Sequence, residues 1–439
     1  MLVARRRLVA GTGLAGLVGG LSRRAWGEDP PGLCTPSVPQ APTVDRPPPQ
    51  RNAEDFSEAE VAMAFRNHGM LAELLKSDVT PLGAHYLLVH FDVPSLSADG
   101  YSVALGGRVQ SPRAIPLSEI KAAPEVRQVV TMECAGVGRR RLSPRPLYVP
   151  WEDEEIGTYQ WVGTPLRPFL EGAGLDPSAV EVLFTGWDSG VDQGVEHAFE
   201  RSMPLADALR PEVMLAWGAN GQELLPEHGF PLRLVVPSWY GMASVKWLRA
   251  ITVLSQPFRG MQQTKAYVYE QVADDPNAVP VREKRVMSVM APPGVPDFQS
   301  RWRFLAPGPV MLEGLAWSGT GAVEVVQVST DGGTSWGAAQ LVPTSPDPYA
   351  WVRWRFPWNA APGQATLVCR AQDSSGAVQP VEPQAAWNYG GNAVNAAQRT
   401  EVVVQSGVGS AAQAVPCAPR AALPGADVPE RPQDANQVA

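Results

Sequence analysis

The chain has 439 residues, 44% of them apolar and 18% charged, with a formal net charge of −8. That composition is globular, exceeds what one simple hydrophobic core serves, and gives no electrostatic case for a nucleic-acid partner. The 41 glycines and 44 prolines favour turns and strands over long helices.

Residues 1–27 place Arg5, Arg6 and Arg7 before a glycine-rich, weakly apolar stretch, Leu8 to Leu21. This stretch is too short and too rich in glycine to be a stable transmembrane segment. It resembles a twin-arginine export signal cut near Ala25 to Gly27, which predicts a periplasmic or extracellular protein. An uncleaved anchor is the alternative. The glycines of GTGLAG lie inside this signal and follow no strand, so they are not a dinucleotide fingerprint.

Residues 28–60 form a proline-rich leader. Within 57–75 the spacing of Val61, Phe65 and Leu71 predicts a helix or broken helix with an apolar face. YSVALGGRV, VRQVVTMEC and AVEVLFTGW read as strands, PLRPFLEGAGL and MPLADALR as short helices, giving a mixed α/β domain over 61–275. After an arginine-rich bridge, VPVREKRVMSVMAPPG, strand-length segments alternate with turns, among them the hairpin signal DGG at 331–333. About seven strands over 281–405 predict an immunoglobulin-like β-sandwich, and 406–439 reads as a disordered tail. The fold class expected is α+β. A dimerisation module, a carbohydrate binder and a spacer all fit the second domain.

The four cysteines are Cys34, Cys134, Cys369 and Cys417. A disulfide between the two terminal segments is open, and no dense framework exists. No CxxCH motif predicts haem, and no clustered CxxC predicts zinc or an iron–sulfur centre. Cys134 ends an apolar strand and precedes AGVG and three arginines. As a lone cysteine it suits a small buried hydrophobe; beside Arg139, Arg140 and Arg141 it suits a thiolate able to ligate a soft metal. One cysteine cannot close a tetrahedral site, so a cofactor would have to supply the other ligands.

The segments HYLLVHFDVP (85–94), MECAGVGRR (132–140), GTYQW (157–161), FTGWD (184–188), NGQELLPEHGFPLRLVVP (220–237), ASVKWL (243–248) and AWSGTGAVEVVQVSTDGGTSW (316–336) come in an order and spacing that resembles the sulfite oxidase family of molybdopterin-dependent oxidoreductases, of the haem-free exported bacterial type. The resemblance covers roughly 60–404. It implies a molybdenum–molybdopterin cofactor with Cys134 as the protein's ligand to the metal. It implies pterin and phosphate contacts from Tyr86, His90, Asp188, His228, Arg233, Ser244, Val245 and Lys246. It places Arg139, Trp151 and Tyr267 at the substrate, with Tyr269 the alternative tyrosine. The activity implied is oxidation of sulfite to sulfate, with electrons passed to an external acceptor such as cytochrome c, in a homodimer. Trp217 reads as core or rim packing, His68 as structural, and His197 as a loop residue.

Three positions depart from the family's pattern. Leu88 and Gly390 stand where arginines are expected, and Val137 stands in the place of an asparagine. Loss of two guanidinium groups matters for an oxyanion. Arg140, Arg141 and Lys265 are the candidates to compensate. The departures keep open a related enzyme acting on a sulfane or sulfoxide, and, behind it, a non-catalytic binding protein.

Overall fold

The computed structural model describes residues 56–146 and 148–408. The segment read as an export signal, most of the leader, Cys34, Cys417 and the residues from 409 lie outside the described residues. Among the described residues no helix is long and apolar enough to cross a membrane.

Ser57 and Glu60 form a reciprocal capping box that opens the helix Glu58–Ala64, and a 3-10 turn follows at Ala72–Lys76. The segment is therefore a broken helix, but its predicted apolar face is not the buried one. Val61, Phe65 and Leu71 are exposed, whereas Met70, Ala72 and Leu75 are buried. The helix stops after two turns, so its period never reaches Leu71. Glu60 is buried in place of the apolar stripe because it pairs with Arg145.

The first half of the chain builds two five-stranded sheets. In the first, the order is Arg113–Pro116, Ser102–Gly107, Leu248–Leu254, Glu181–Asp192 and Val195–Pro204. Its one parallel pair joins Ser102–Gly107 to Leu248–Leu254, so a late strand closes on an early one. His197 sits in the strand Val195–Pro204, not in a loop as the sequence reading had it.

The second sheet runs Val126–Glu133, Ile156–Pro165, Met214–Ala219 and Gln222–Glu223, with Arg233–Val235 also paired to Met214–Ala219. Val126–Glu133 is an edge strand, yet its last five residues are all buried. The C-terminal part of the chain caps that edge. Val129 N donates to Asp347 Oδ2 at 2.9 Å, Thr131 N to Tyr349 O at 2.9 Å, and Lys284 Nζ to Thr131 O at 2.6 Å. An exposed edge is thereby satisfied internally, and the strand delivers Cys134 into the interior.

The C-terminal strands form sheets of four and six. Both line one core, in which Leu312, Trp354 and Ala360 of one sheet meet Val328, Leu367 and Val402 of the other. Cys369 lies in that core as a free, buried thiol. There are more strands here than the sequence pattern predicts because two of them have only two residues and a third has three, too short to show alternation. The arginine-rich bridge is also not a plain linker, since Met287–Ala291 pairs with Gly308–Trp317 as a sandwich strand. The outer face of the same sheet joins the first half through Val137, Ile156, Val289, Leu315 and Trp351.

Candidate active site

Cys134 leaves its strand into a tight loop held by Cys134 N to Glu155 O at 2.9 Å and Val137 N to Cys134 O at 3.2 Å. Gly138 takes φ +71°, which lets the chain reverse into the 3-10 turn Arg139–Arg141. The three arginines then diverge. Arg140 pairs with Glu152 at the surface, and Arg141 pairs with Asp153. Lys265 pairs with Asp274, both exposed. None of these three lines the cavities at Cys134.

Burial, not the arginines, sets the state of the Cys134 thiol. Desolvation pushes it up to about 12, against the opposing Gly136 amide and Arg139 charge. Arg139 favours the thiolate, as the basic loop predicts, but burial outweighs it, so a thiolate here calls for a cation in the proton's place. Among the described residues no three His, Cys, Asp or Glu side chains converge as a metal cage.

Two cavities meet at this sulfur. The inner and the outer one share Leu88, His90, Cys134 and Tyr267. The inner cavity receives Tyr86, Asp188, His228, Arg233, Ser244 and Lys246, which come from several separate segments. His228 and Arg233 make no surface ion pair. Arg233 is buried and donates to His228 O at 2.8 Å and Ser244 O at 3.0 Å, with its guanidinium 4.8 Å from the Trp161 ring. Lys246 Nζ donates to Leu88 O at 3.0 Å and Glu227 O at 2.9 Å. Desolvation brings Lys246 down to about 7 and Arg233 down to about 10.

Val245 differs from its neighbours: its side chain lies in the apolar core and lines neither cavity. Ser244 Oγ is occupied by the Val236 amide at 3.0 Å. His85, which the sequence reading passed over, lines the inner cavity and is buried. Its Nδ1 lies 3.0 Å from Tyr86 O, while Nε2 has no partner. Asp188 Oδ1 is likewise buried and unpartnered.

This donor set fits a phosphate-bearing pterin. Two cations bonded to neutral carbonyls await an anion, and an orphaned imidazole nitrogen and carboxylate oxygen await ring donors and acceptors. Gly241 lies against the Tyr86 hydroxyl so closely that any Cβ would collide with it. A metal carried by such a group at the Cys134 sulfur would face both cavities.

The outer cavity holds the substrate-side residues. Arg139, Trp151 and Tyr267 all line it, and Tyr269 does not. Gly136 is needed here: a Cβ would stand 2.6 Å from Trp151 Cδ1 and 3.0 Å from both terminal nitrogens of Arg139. Arg139 is buried without a carboxylate partner among the described residues and donates only to neutral acceptors. Leu88 occupies the junction of the cavities as an apolar side chain. Gly390 is packed so that a Cβ would press on the Asn392 amide at 2.9 Å. Val137 is fully buried in the apolar cluster with Ile156 and Leu315, away from both cavities. Its departure from the asparagine pattern thus concerns packing.

Sequence reasoning also missed Arg66, Gln262 and Asn392 on the outer cavity. Arg66 sits at the exposed end, donating to Phe91 O at 2.8 Å and facing Asp92 at 3.6 Å. Trp217 packs against the core, and His68 forms an antiparallel bridge with Leu87 while its ring Nδ1 lies 3.2 Å from Gly69 O.

Residues 90–262 match the oxidoreductase molybdopterin binding domain, and 285–405 match the Mo-co oxidoreductase dimerisation domain. The chain is 33% identical to mitochondrial sulfite oxidase of Homo sapiens over 75% of its own length and 63% of that relative's. It is thus similar to somewhat under two thirds of the human protein. It is 31% identical to sulfite oxidase of Arabidopsis thaliana, over 72% of this chain and 86% of the plant protein. Among solved structures, the sulfane dehydrogenase SoxCD from Paracoccus pantotrophus aligns with a TM-score of 0.65 and 25% identity, over 85% of this chain and 97% of that one. With the cysteine-centred pair of cavities, these matches show that the chain is an enzyme and belongs to the sulfite oxidase family of molybdopterin oxidoreductases.

Proposed function

We propose that this sulfur-oxidising enzyme acts on a reduced sulfur atom presented to Cys134 through the outer cavity, and that a sulfane-bearing substrate is preferred over sulfite. The single observation behind the preference is Leu88, an apolar side chain at the junction of the two cavities. Arg139 is the buried cation of the outer cavity, Arg66 lying at its exposed end, while Arg140, Arg141 and Lys265 are engaged with carboxylates elsewhere. A small dianion is served best by several convergent guanidinium groups, whereas a larger, less charged group tolerates an apolar wall.

The residues of the inner cavity would hold the cofactor: Arg233 and Lys246 at the phosphate, His85, His228 and Asp188 at the ring, and the Cys134 sulfur at the metal. When bound, the molybdenum cofactor supplies two-electron oxygen-atom transfer. The chain's own part is to orient the substrate with Arg139, to exclude water with Trp151, and to hold a proton at the Tyr267 hydroxyl. Electrons would leave to an external acceptor such as a cytochrome c. A homodimer joined through an immunoglobulin-like second domain, and export by a twin-arginine signal, complete the reading; the first is supported by the dimerisation-domain match.

Sulfite is the second reading, favoured by the buried, carboxylate-free charge of Arg139 and by the identity to sulfite oxidases. Molybdenum-loaded enzyme should be screened with sulfite, thiosulfate, a persulfide and a sulfoxide, using ferricyanide or cytochrome c as acceptor. A sulfane compound should give the highest kcat/KM. Sulfite dominance would establish the second reading, and no turnover of any sulfur compound by fully loaded enzyme would overturn both.

A further inference from the structure

Asn392 comes from the C-terminal half of the chain, between the last two long strands, yet it lines the outer cavity and is 1% exposed. Its carboxamide oxygen accepts from Arg139 Nη2 at 3.3 Å. Its carboxamide nitrogen donates to Ala266 O at 3.2 Å and Val268 O at 3.1 Å, the carbonyls on either side of Tyr267. The amide's orientation follows from chemistry, because a guanidinium requires an acceptor and two carbonyls require donors. A flipped amide would set N–H against N–H and oxygen against oxygen.

The loop itself is locked. Asn392 N donates to Asn388 Oδ1 at 3.0 Å, and Asn388 Nδ2 donates to Asn392 O at 2.7 Å. One residue on, Ala393 N donates to Ala135 O at 2.6 Å, beside Cys134. One residue earlier, Gly391 O accepts from Arg139 Nε at 3.0 Å, and Val149 O takes Nη1 at 3.2 Å. Three of the guanidinium's five N–H groups are thus used, leaving one on each terminal nitrogen for a ligand.

We propose that Asn392 is a positioning residue: through its two-sided carboxamide it fixes the Arg139 fork relative to Tyr267, so the C-terminal half of the chain sets the geometry of substrate recognition. The role deepens the proposed function, since it rests on the outer cavity being the substrate site. Asn392 touches no reacting atom; it acts through the two side chains it holds. It also supplies a neutral partner, which leaves the Arg139 charge available to an anion.

The test uses the full-length, molybdenum-loaded enzyme and its variants Asn392→Ala and Asn392→Asp, with inorganic sulfate as the probe in calorimetric titration. Alanine should weaken sulfate binding about tenfold and raise KM for the turned-over substrate by a similar factor. Aspartate should abolish sulfate binding, because a carboxylate would pair with Arg139. Molybdenum content should stay at the wild-type level in both variants. A purely structural role would lower the unfolding temperature while leaving sulfate affinity and KM unchanged, and that result overturns the proposal. Wild-type enzyme that binds no sulfate overturns it as well. Wild-type enzyme that binds sulfate but oxidises no sulfur compound defeats the proposed function alone, and the sulfate titrations then decide the role of Asn392.

Discussion

The Tyr267 hydroxyl and His90 Nε2 are 2.6 Å apart, and both side chains belong to the inner and the outer cavity. Phe199 packs on the imidazole with ring centroids 4.6 Å apart, and the Arg201 guanidinium lies 5.8 Å from the phenol ring. Burial brings His90 down to about 3 and pushes Tyr267 well above the ordinary phenol range. The two therefore meet as neutral groups sharing one proton, at the wall between cofactor and substrate.

Tyr267→Phe removes that contact while keeping the ring. kcat should fall by about a hundredfold, the order expected for a positioned proton-handling group. Stability should drop by about 1–3 kcal/mol because the imidazole nitrogen loses its partner. Steady-state kinetics and thermal unfolding check the two effects separately.

Cys134→Ser should abolish turnover and lower molybdenum content, measured by elemental analysis, without loss of the fold. The thiol's one hydrogen bond is from Gly136 N at 3.4 Å, so a hydroxyl is accommodated with little rearrangement. Turnover equal to wild type would remove Cys134 from the metal.

Lys246 gives a pH signature in cofactor-free protein. Its folded value, about 7, is depressed from 10.5 by burial. Between those values the unfolded chain binds the extra proton, so stability rises with pH across this window. Below pH 7 both states are protonated and the full penalty of burying the charge applies. Lys246→Met should remove this slope, worth on the order of 5 kcal/mol for a buried amine. It should also reduce cofactor retention, because the anion's partner is lost. Chemical denaturation from pH 6 to 10 measures the slope.

Leu88→Arg restores a cation at the junction of the cavities. It should raise kcat/KM for sulfite about tenfold and leave a sulfane substrate unimproved or impaired. Equal changes for both substrates would show that charge at this position does not set the preference.

Much of this arrangement was readable along the chain because its signals are local. An apolar run located the strand that leads into Cys134, and ordered motifs brought Tyr86, His90, His228 and Arg233 to one cavity. What escaped depends on contacts between distant segments. Asn392 has no periodicity of its own, and the partners of its side chain are 124 to 253 residues away. His85 was hidden beside Tyr86, since nothing local shows that one of its nitrogens ends without a partner. The basic loop misled for a related reason: three adjacent arginines read as one positive patch, while in the fold two of them are spent on Glu152 and Asp153.

The capped edge of Val126–Glu133 implies an order of assembly. Its outward hydrogen-bonding groups are satisfied by Lys284, Asp347 and Tyr349, all far downstream. During synthesis, the strand that leads into Cys134 has a raw edge until those residues emerge, and such an edge invites pairing with other chains. Acquisition of the cofactor therefore belongs at the end of folding, after the C-terminal half has docked, and a chain halted before residue 347 would be expected to aggregate rather than wait for its metal.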